Sequence, residues 1–191
     1  VFNFIQSYKD HGRSFDKKKQ KIKSYKYERI YESFGTNIRL TEMQSAIGRI
    51  QLKKLSDWRR IRTINANIIN EIISELKIVR IVKIPEFIKH AWYKYYVYLN
   101  HKYLKKSWNR EKIISEINTR GFPAYSGSCS ELYLENCFKK ENIYQTERLP
   151  NARELGETSL MFLVHPTITQ KQMKRYASTI YDVLSNASKS N

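Results

Sequence analysis

Residues 34–41 read FGTNIRLT, and four of these types can do chemistry together. Gly35 is a backbone hinge, Asn37 a short carboxamide, Arg39 a cation and Thr41 a helix-starting hydroxyl. A glycine lets the main chain come close to a ligand, and a helix start offers unpaired amide donors, so the set suits a phosphate. The same residues serve an ordinary helix entry. Asn is a turn former by default, and Arg39 can equally pair with Glu42 or a neighbouring carboxylate. On the residues alone, both readings stand.

Nothing else in the chain competes with this loop. The histidines, His11, His90, His101 and His165, are scattered and read as structural or surface groups. No Gly-rich phosphate loop, Ser/His/Asp set or paired-carboxylate motif occurs at a diagnostic spacing. Cys129 and Cys137 neither frame a disulfide scaffold nor fit a zinc spacing. They read as plain thiols, with no metal site.

The elements that must position the loop follow from periodicity. Thr41-Glu42-Met43-Gln44 is a capping box. Apolar residues then recur at Met43, Ile47, Ile50, Trp58, Ile61, Ile68 and Ile72, interrupted by Lys54 and Asn65, with Leu52 and Leu55 on a second edge. No Pro or Gly beyond Gly48 appears before Pro85, so the helix runs for about 30 residues, roughly 45 Å. That length suits a helix that spans two domains or lines an interface. KIVRIVKIP and YKYYVYLN read as strands. Ser107 or Asn109 caps a helix through REKIISEINTRG, and FPAYSG is a strand or loop. PNARELGETSL is a helix with Pro150 in its first turn, SLMFLVHP a buried strand, and Thr169 caps a last helix. This order predicts an α/β sandwich with helices on one face of a small sheet.

Composition narrows the partners. The 191 residues carry 35 Lys+Arg against 18 Asp+Glu, a formal charge of +17. That excess favours an anionic partner: nucleic acid, a membrane surface or a phosphorylated small molecule. Richness in Lys, Ile, Asn and Tyr is also what an AT-rich genome produces. The run DKKKQKIKSYK, residues 16–26, reads as an exposed loop. No segment has the apolar length of a membrane span or a signal peptide, which predicts a soluble, cytoplasmic protein. The opening VFNFIQSYKDHG reads as the interior of something longer.

Four stretches in order, YKDHGR, FGTNIRLTEMQSAIGRIQLKKL, IKHAWYKYYVYL and ELGETSLMFLVHPTIT, closely resemble the C-terminal half of the DegT/DnrJ/EryC1/StrS aminotransferases. These are pyridoxal 5′-phosphate (PLP) enzymes that aminate nucleotide-linked keto-sugars for polysaccharide biosynthesis, perosamine synthetase among them. The element Asn-x-Arg-Leu-Thr-x-x-Gln-x-Ala-x-Gly is the specific part. The resemblance implies an α/β fold, the C-terminal part of an aspartate-aminotransferase-like (fold type I) PLP transferase. Residues 1–40 would be a remnant of the large cofactor domain, 41–80 the interdomain helix and 81–191 a small α/β domain.

It also implies roles. Asn37 matches the asparagine that reaches the cofactor phosphate of the partner subunit, and Arg39 an arginine that steadies the loop or faces the site. His11 matches a position near the cofactor-bearing segment. His90 and Tyr93 fall in the family's His-x-Trp-His stretch, with Tyr93 departing from it. Ser126 and Ser128, with Gly127, Ser130 and Glu131, replace a histidine-containing substrate loop. The Schiff-base lysine of the family lies upstream of YKDHG, so no catalytic residue is assigned and the chain alone should not transaminate. A homodimer or a complementary N-terminal half is the expected partner. A basic nucleic-acid-binding module and a non-catalytic dimerisation fragment are the alternatives.

Overall fold

In the computed structural model, residues 1–14, 16, 31–127, 130–140 and 147–189 are described. The basic run expected to form an exposed loop lies outside them, apart from Asp16. The chain divides into two units, Val1–Lys54 and Leu55–Asn191.

In the first unit a short helix, α1 (Phe2–Tyr8), ends in a turn whose residues His11 and Gly12 have φ of 59° and 79°. The strand-like segment from Tyr31 folds back on this turn. Glu32 N–H donates to the Gly12 carbonyl (2.9 Å), Thr36 N–H to that of Tyr8 (2.7 Å), and His11 N–H to that of Thr36 (3.1 Å). Arg13 and Tyr31 form an antiparallel bridge. The expected capping box then forms: Gln44 N–H donates to Thr41 Oγ1 (3.2 Å) and Thr41 N–H to Gln44 Oε1 (2.9 Å).

The helix it starts, α2 (Glu42–Ile73), has 32 residues, close to the length read from the sequence. Its apolar stripe is buried only near the C-terminal end. Of its residues Ile68 is buried and Ile72 partly so, while Ala66, Ile69 and Ile73 beside them, which the stripe did not include, are fully buried; Met43, Ile47 and Ile50 are 78%, 59% and 53% exposed. Asn65, read as an interruption of the stripe, is a core residue. Its Nδ2 donates to the carbonyls of His165 (3.1 Å) and Ile168 (3.3 Å), which offsets part of the cost of burying an amide whose Oδ1 has no partner among the described residues.

The second unit is a four-stranded antiparallel sheet with helices packed against it. Strands β1 (Val79–Ile81), β2 (Tyr95–Leu99), β3 (Ala124–Ser126) and β4 (Ser159–Phe162) pair antiparallel in the order β1-β2-β4-β3. Directly opposed residues share a face, so the register Tyr95↔Phe162 and Val97↔Leu160 puts these four on one side. They join Ile113 and Ile117 of α3 (Arg110–Thr119) and Met173, Tyr176, Ile180 and Leu184 of α6 (Gln170–Ala187) in one core with the end of α2. Burial of each such side chain contributes about 1.5–3 kcal/mol. Asn109 caps α3, accepting from Lys112 N–H at 2.8 Å, and Thr169 caps α6 in a full capping box. A short helix, α4 (Asn136–Lys140), and α5 (Pro150–Thr158), with Pro150 in its first turn, complete the unit.

Candidate functional site

The loop carrying Asn37 has a rigid root. A Cβ on Gly35 would lie 2.3 Å from the Gly12 amide nitrogen and 2.5 Å from the Tyr8 carbonyl oxygen. Only glycine lets the loop sit that close to the α1 turn. Gly12 is equally confined, with a φ that glycine tolerates and a Cβ position 1.7 Å from the Ser33 carbonyl oxygen. Beyond this root Arg39 Nη2 donates to Asp10 Oδ1, and Asp10 is 6% exposed. Arg39 is therefore committed to its own loop. Asn37 is exposed, and its carboxamide makes no hydrogen bond to a described residue. Its NH2 is a free donor held on a fixed base, which fits a contact to a phosphate oxygen. His11 contributes backbone: its N–H is taken by Thr36.

His90 and Tyr93 belong to a single turn in the second unit. Trp92, between them, has φ 49°, a left-handed conformation that is an outlier for a bulky side chain. Three hydrogen bonds hold it. Trp92 N–H donates to His90 Nδ1 (3.0 Å), while Arg62 Nη1 donates to the carbonyls of Trp92 (3.0 Å) and Tyr93 (2.8 Å). The Trp92 ring meets His90 edge-on (centroids 4.4 Å) and stacks on Tyr95 (5.6 Å). The Tyr95 hydroxyl donates to Asn70 Oδ1 of α2 at 2.9 Å, and burial pushes its phenol well above the usual range. Tyr93 points outward and is 74% exposed. A groove of about 650 Å³ lies beside the turn, lined by Asn67, Asn70, Ser74, Trp92 and Tyr95 among others.

Ser126 ends β3 opposite Leu160 and is exposed. It stands two strands from β2, about 10 Å across the sheet, so the structure does not join it to the 90–93 turn. Ser128, like Cys129, lies outside the described residues; Cys137 is exposed. Gly127 N–H donates to Ser159 Oγ (3.0 Å). Further on, Glu131 accepts from both Arg148 and Tyr133 Oη (2.7 Å), and Tyr133 Oη accepts from Leu149 N–H (2.9 Å). This network fastens residues 131–134 to the start of α5. Among the described residues there is no His/Cys/Asp/Glu group arranged to hold a metal ion and no helix long and apolar enough to cross a membrane.

Asn37, Arg39, His90 and Tyr93 were singled out in the sequence, whereas Arg62 was not. Arg62 acts on carbonyls some thirty residues away, and no local pattern carries that signal.

Comparison with known proteins bears on the chain as a whole. The profile of the DegT/DnrJ/EryC1/StrS aminotransferase family matches residues 3–181. The crystal structure of an aminotransferase from Psychrobacter cryohalolentis superposes with a TM-score of 0.88 at 42% identity, covering 97% of this chain and 49% of that one. Spr1654 of Streptococcus pneumoniae, named as a sugar aminotransferase and solved in its PLP form, shares the fold with a TM-score of 0.74 at 15% identity, covering 96% and 43%. An uncharacterised protein of Methanocaldococcus jannaschii is 29% identical over 85% of this chain and 41% of its own length. The chain thus spans between two fifths and half of these relatives. Its fold is that of part of a fold type I PLP aminotransferase, as the resemblance implied. With a matching profile over nearly all its residues, this chain belongs to the DegT/DnrJ/EryC1/StrS aminotransferase family.

Proposed function

We propose that the chain is the C-terminal portion of a PLP-dependent aminotransferase that acts on a nucleotide-linked keto-sugar. The observation that carries this reading is the state of Asn37: an exposed, unengaged carboxamide on a loop locked at Gly35. In this reading Asn37 donates to the cofactor phosphate held in a neighbouring subunit, and Arg39 steadies the loop through Asp10. Bound PLP supplies the electron sink that amino-group transfer needs. His90, Tyr93, Ser126 and Ser128 contact the substrate. The lysine that carries the cofactor is contributed from outside these residues, by an N-terminal half, and the 191 residues alone do not transaminate. The exposed stripe of α2 at Met43, Ile47 and Ile50, with Phe34, Ile38 and Leu40 beside it, supports assembly, since such a face is unfavourable in water.

The test mixes this chain with a candidate lysine-bearing half and PLP, and follows the visible absorbance of lysine-bound cofactor. The band should appear only with both parts present. Asn37→Ala should weaken PLP retention by about tenfold or more, the scale of one hydrogen bond to a charged group. Absence of the band rejects the half-enzyme reading; an unchanged affinity in Asn37→Ala rejects the role of Asn37.

A further inference from the structure

Arg62 is a cation without an anion. Both of its hydrogen bonds leave from Nη1 and end on carbonyls, and among the described residues no carboxylate pairs with it. Nε and Nη2 are left as unused donors on a guanidinium fork whose orientation those two carbonyls fix. The Tyr93 ring lies 5.9 Å from the Arg62 guanidinium carbon, and Lys94 Nζ lies 5.3 Å from the same ring. Lys94 likewise has no carboxylate partner among the described residues. An exposed ring is therefore flanked by two uncompensated cations.

The turn that presents the ring is strained and would not hold itself. Trp92 at φ 49° occupies a region that costs a non-glycine residue of order 1–3 kcal/mol. The Arg62 bonds to the two carbonyls and the Trp92 N–H···Nδ1 bond to His90 are what oppose that cost. Because His90 Nδ1 accepts, its ring proton sits on Nε2, which no described residue takes. The turn thus offers a ring face, two cations and one N–H donor.

We infer that Arg62 is a positioning residue, and that the face it builds with His90, Tyr93 and Lys94 seats an anionic group carried next to a planar ring. This rests on the reading of the 90–93 turn as a substrate contact, but testing it needs neither PLP nor turnover.

Phenyl phosphate is the probe, titrated into the 191-residue chain and followed by NMR. The expected result is saturable shifts confined to His90, Trp92, Tyr93 and Lys94, with unbound His90 as the Nε2–H tautomer. Arg62→Leu should weaken binding by about tenfold or more, and Arg62→Lys, which keeps the charge but loses the planar fork, should recover only part of that loss. Amide exchange supplies the second measurement. In Arg62→Leu the Trp92 amide should lose protection while the β2 amides of Tyr95 and Val97 keep theirs. Shifts spread over the surface lysines, affinity unchanged in Arg62→Leu, or loss of β2 protection together with that of Trp92 would each overturn the assignment. Failure of cofactor binding in the mixing experiment, with this result positive, would instead remove the aminotransferase reading and leave the anion seat in place.

Discussion

Arg39 reaches back 29 residues to donate to Asp10, which is almost fully buried. The pair ties the loop bearing Asn37 to the turn after α1, alongside the backbone bonds of Thr36. Removing the cation would take one charged donor from a buried carboxylate, which costs stability. Because the Arg39 side chain is half exposed, water would replace part of the interaction. Arg39→Met should therefore destabilise the loop by about 1–2 kcal/mol. The check is amide exchange at Thr36 and Gly12, which should quicken by about tenfold or more while the second unit is unaffected. No change there would mean that Arg39 is spare and available to a ligand.

Gly35→Ala addresses the same loop from the backbone side. The nearest atoms to its Cβ are main-chain ones, at 2.3 and 2.5 Å, so a flexible side chain cannot make way. The loop must move off the turn, breaking Thr36 N–H···Tyr8 O or His11 N–H···Thr36 O. Loss of one or both protections by exchange is the expected outcome. An assembled enzyme carrying Gly35→Ala should lose PLP affinity at least as severely as Asn37→Ala does.

What the sequence announced, and what it concealed, divides by distance along the chain. The capping box at Thr41 was legible because hydroxyl and glutamine stand three residues apart, the cap at Thr169 because its hydroxyl precedes an apolar-periodic run, and the strands because β-branched and aromatic residues cluster locally. Periodicity marked a stripe along α2 through Ile68 and Ile72 but could not say what covers it; the structure buries Ile68, adds Ile69 and Ile73 to the core, and leaves Met43 and Ile47 open. Asn65 looked like a flaw in the stripe because the carbonyls its amide NH2 donates to are about a hundred residues downstream. For Arg39 the local candidate was Glu42, and the partner found is Asp10. Arg62 was invisible for the same reason: its acceptors are carbonyls, which every residue has, so nothing in composition singles them out.

The clasp at Glu131 makes an acid-sensitive contribution. Hydrogen bonding from Arg148, aided by Tyr133 and opposed by burial, holds the Glu131 carboxyl at about 2, against an ordinary value of 4.5. A folded-state value below the unfolded one means that the stabilisation is present above pH 4.5 and is lost as pH falls from there toward 2. Glu157 is depressed in the same direction, first by its bond to Arg153. Glu131→Gln should flatten the acid limb of stability between about pH 5 and 2, measured by urea unfolding at several pH values. An acid limb of unchanged slope would show that the clasp does not contribute to folding.

Tyr176 is the corresponding point inside the core. It is 2% exposed, stacks on Phe122 at 5.3 Å and meets Phe162 edge-on at 6.1 Å. Its hydroxyl donates to the Pro123 carbonyl and accepts from Leu163 N–H at 3.4 Å, joining α6 to the entrance of β3 and the exit of β4. Tyr176→Phe keeps the ring contacts and strips only the hydroxyl, leaving both backbone groups without that partner. It should cost about 1–3 kcal/mol in urea unfolding at neutral pH, and Tyr176→Ala about 3–5 kcal/mol, since a cavity is added. Burial raises the phenol above its ordinary value of 10. The folded state therefore holds this proton more tightly, so the contribution is complete below pH 10 and is lost as pH climbs beyond it. The two variants separate the effects. If the hydroxyl is what couples the chain to alkaline pH, Tyr176→Phe should lose part of the decline in stability above pH 10, with the buried Tyr95 supplying the rest; an unaltered alkaline limb would place that decline elsewhere.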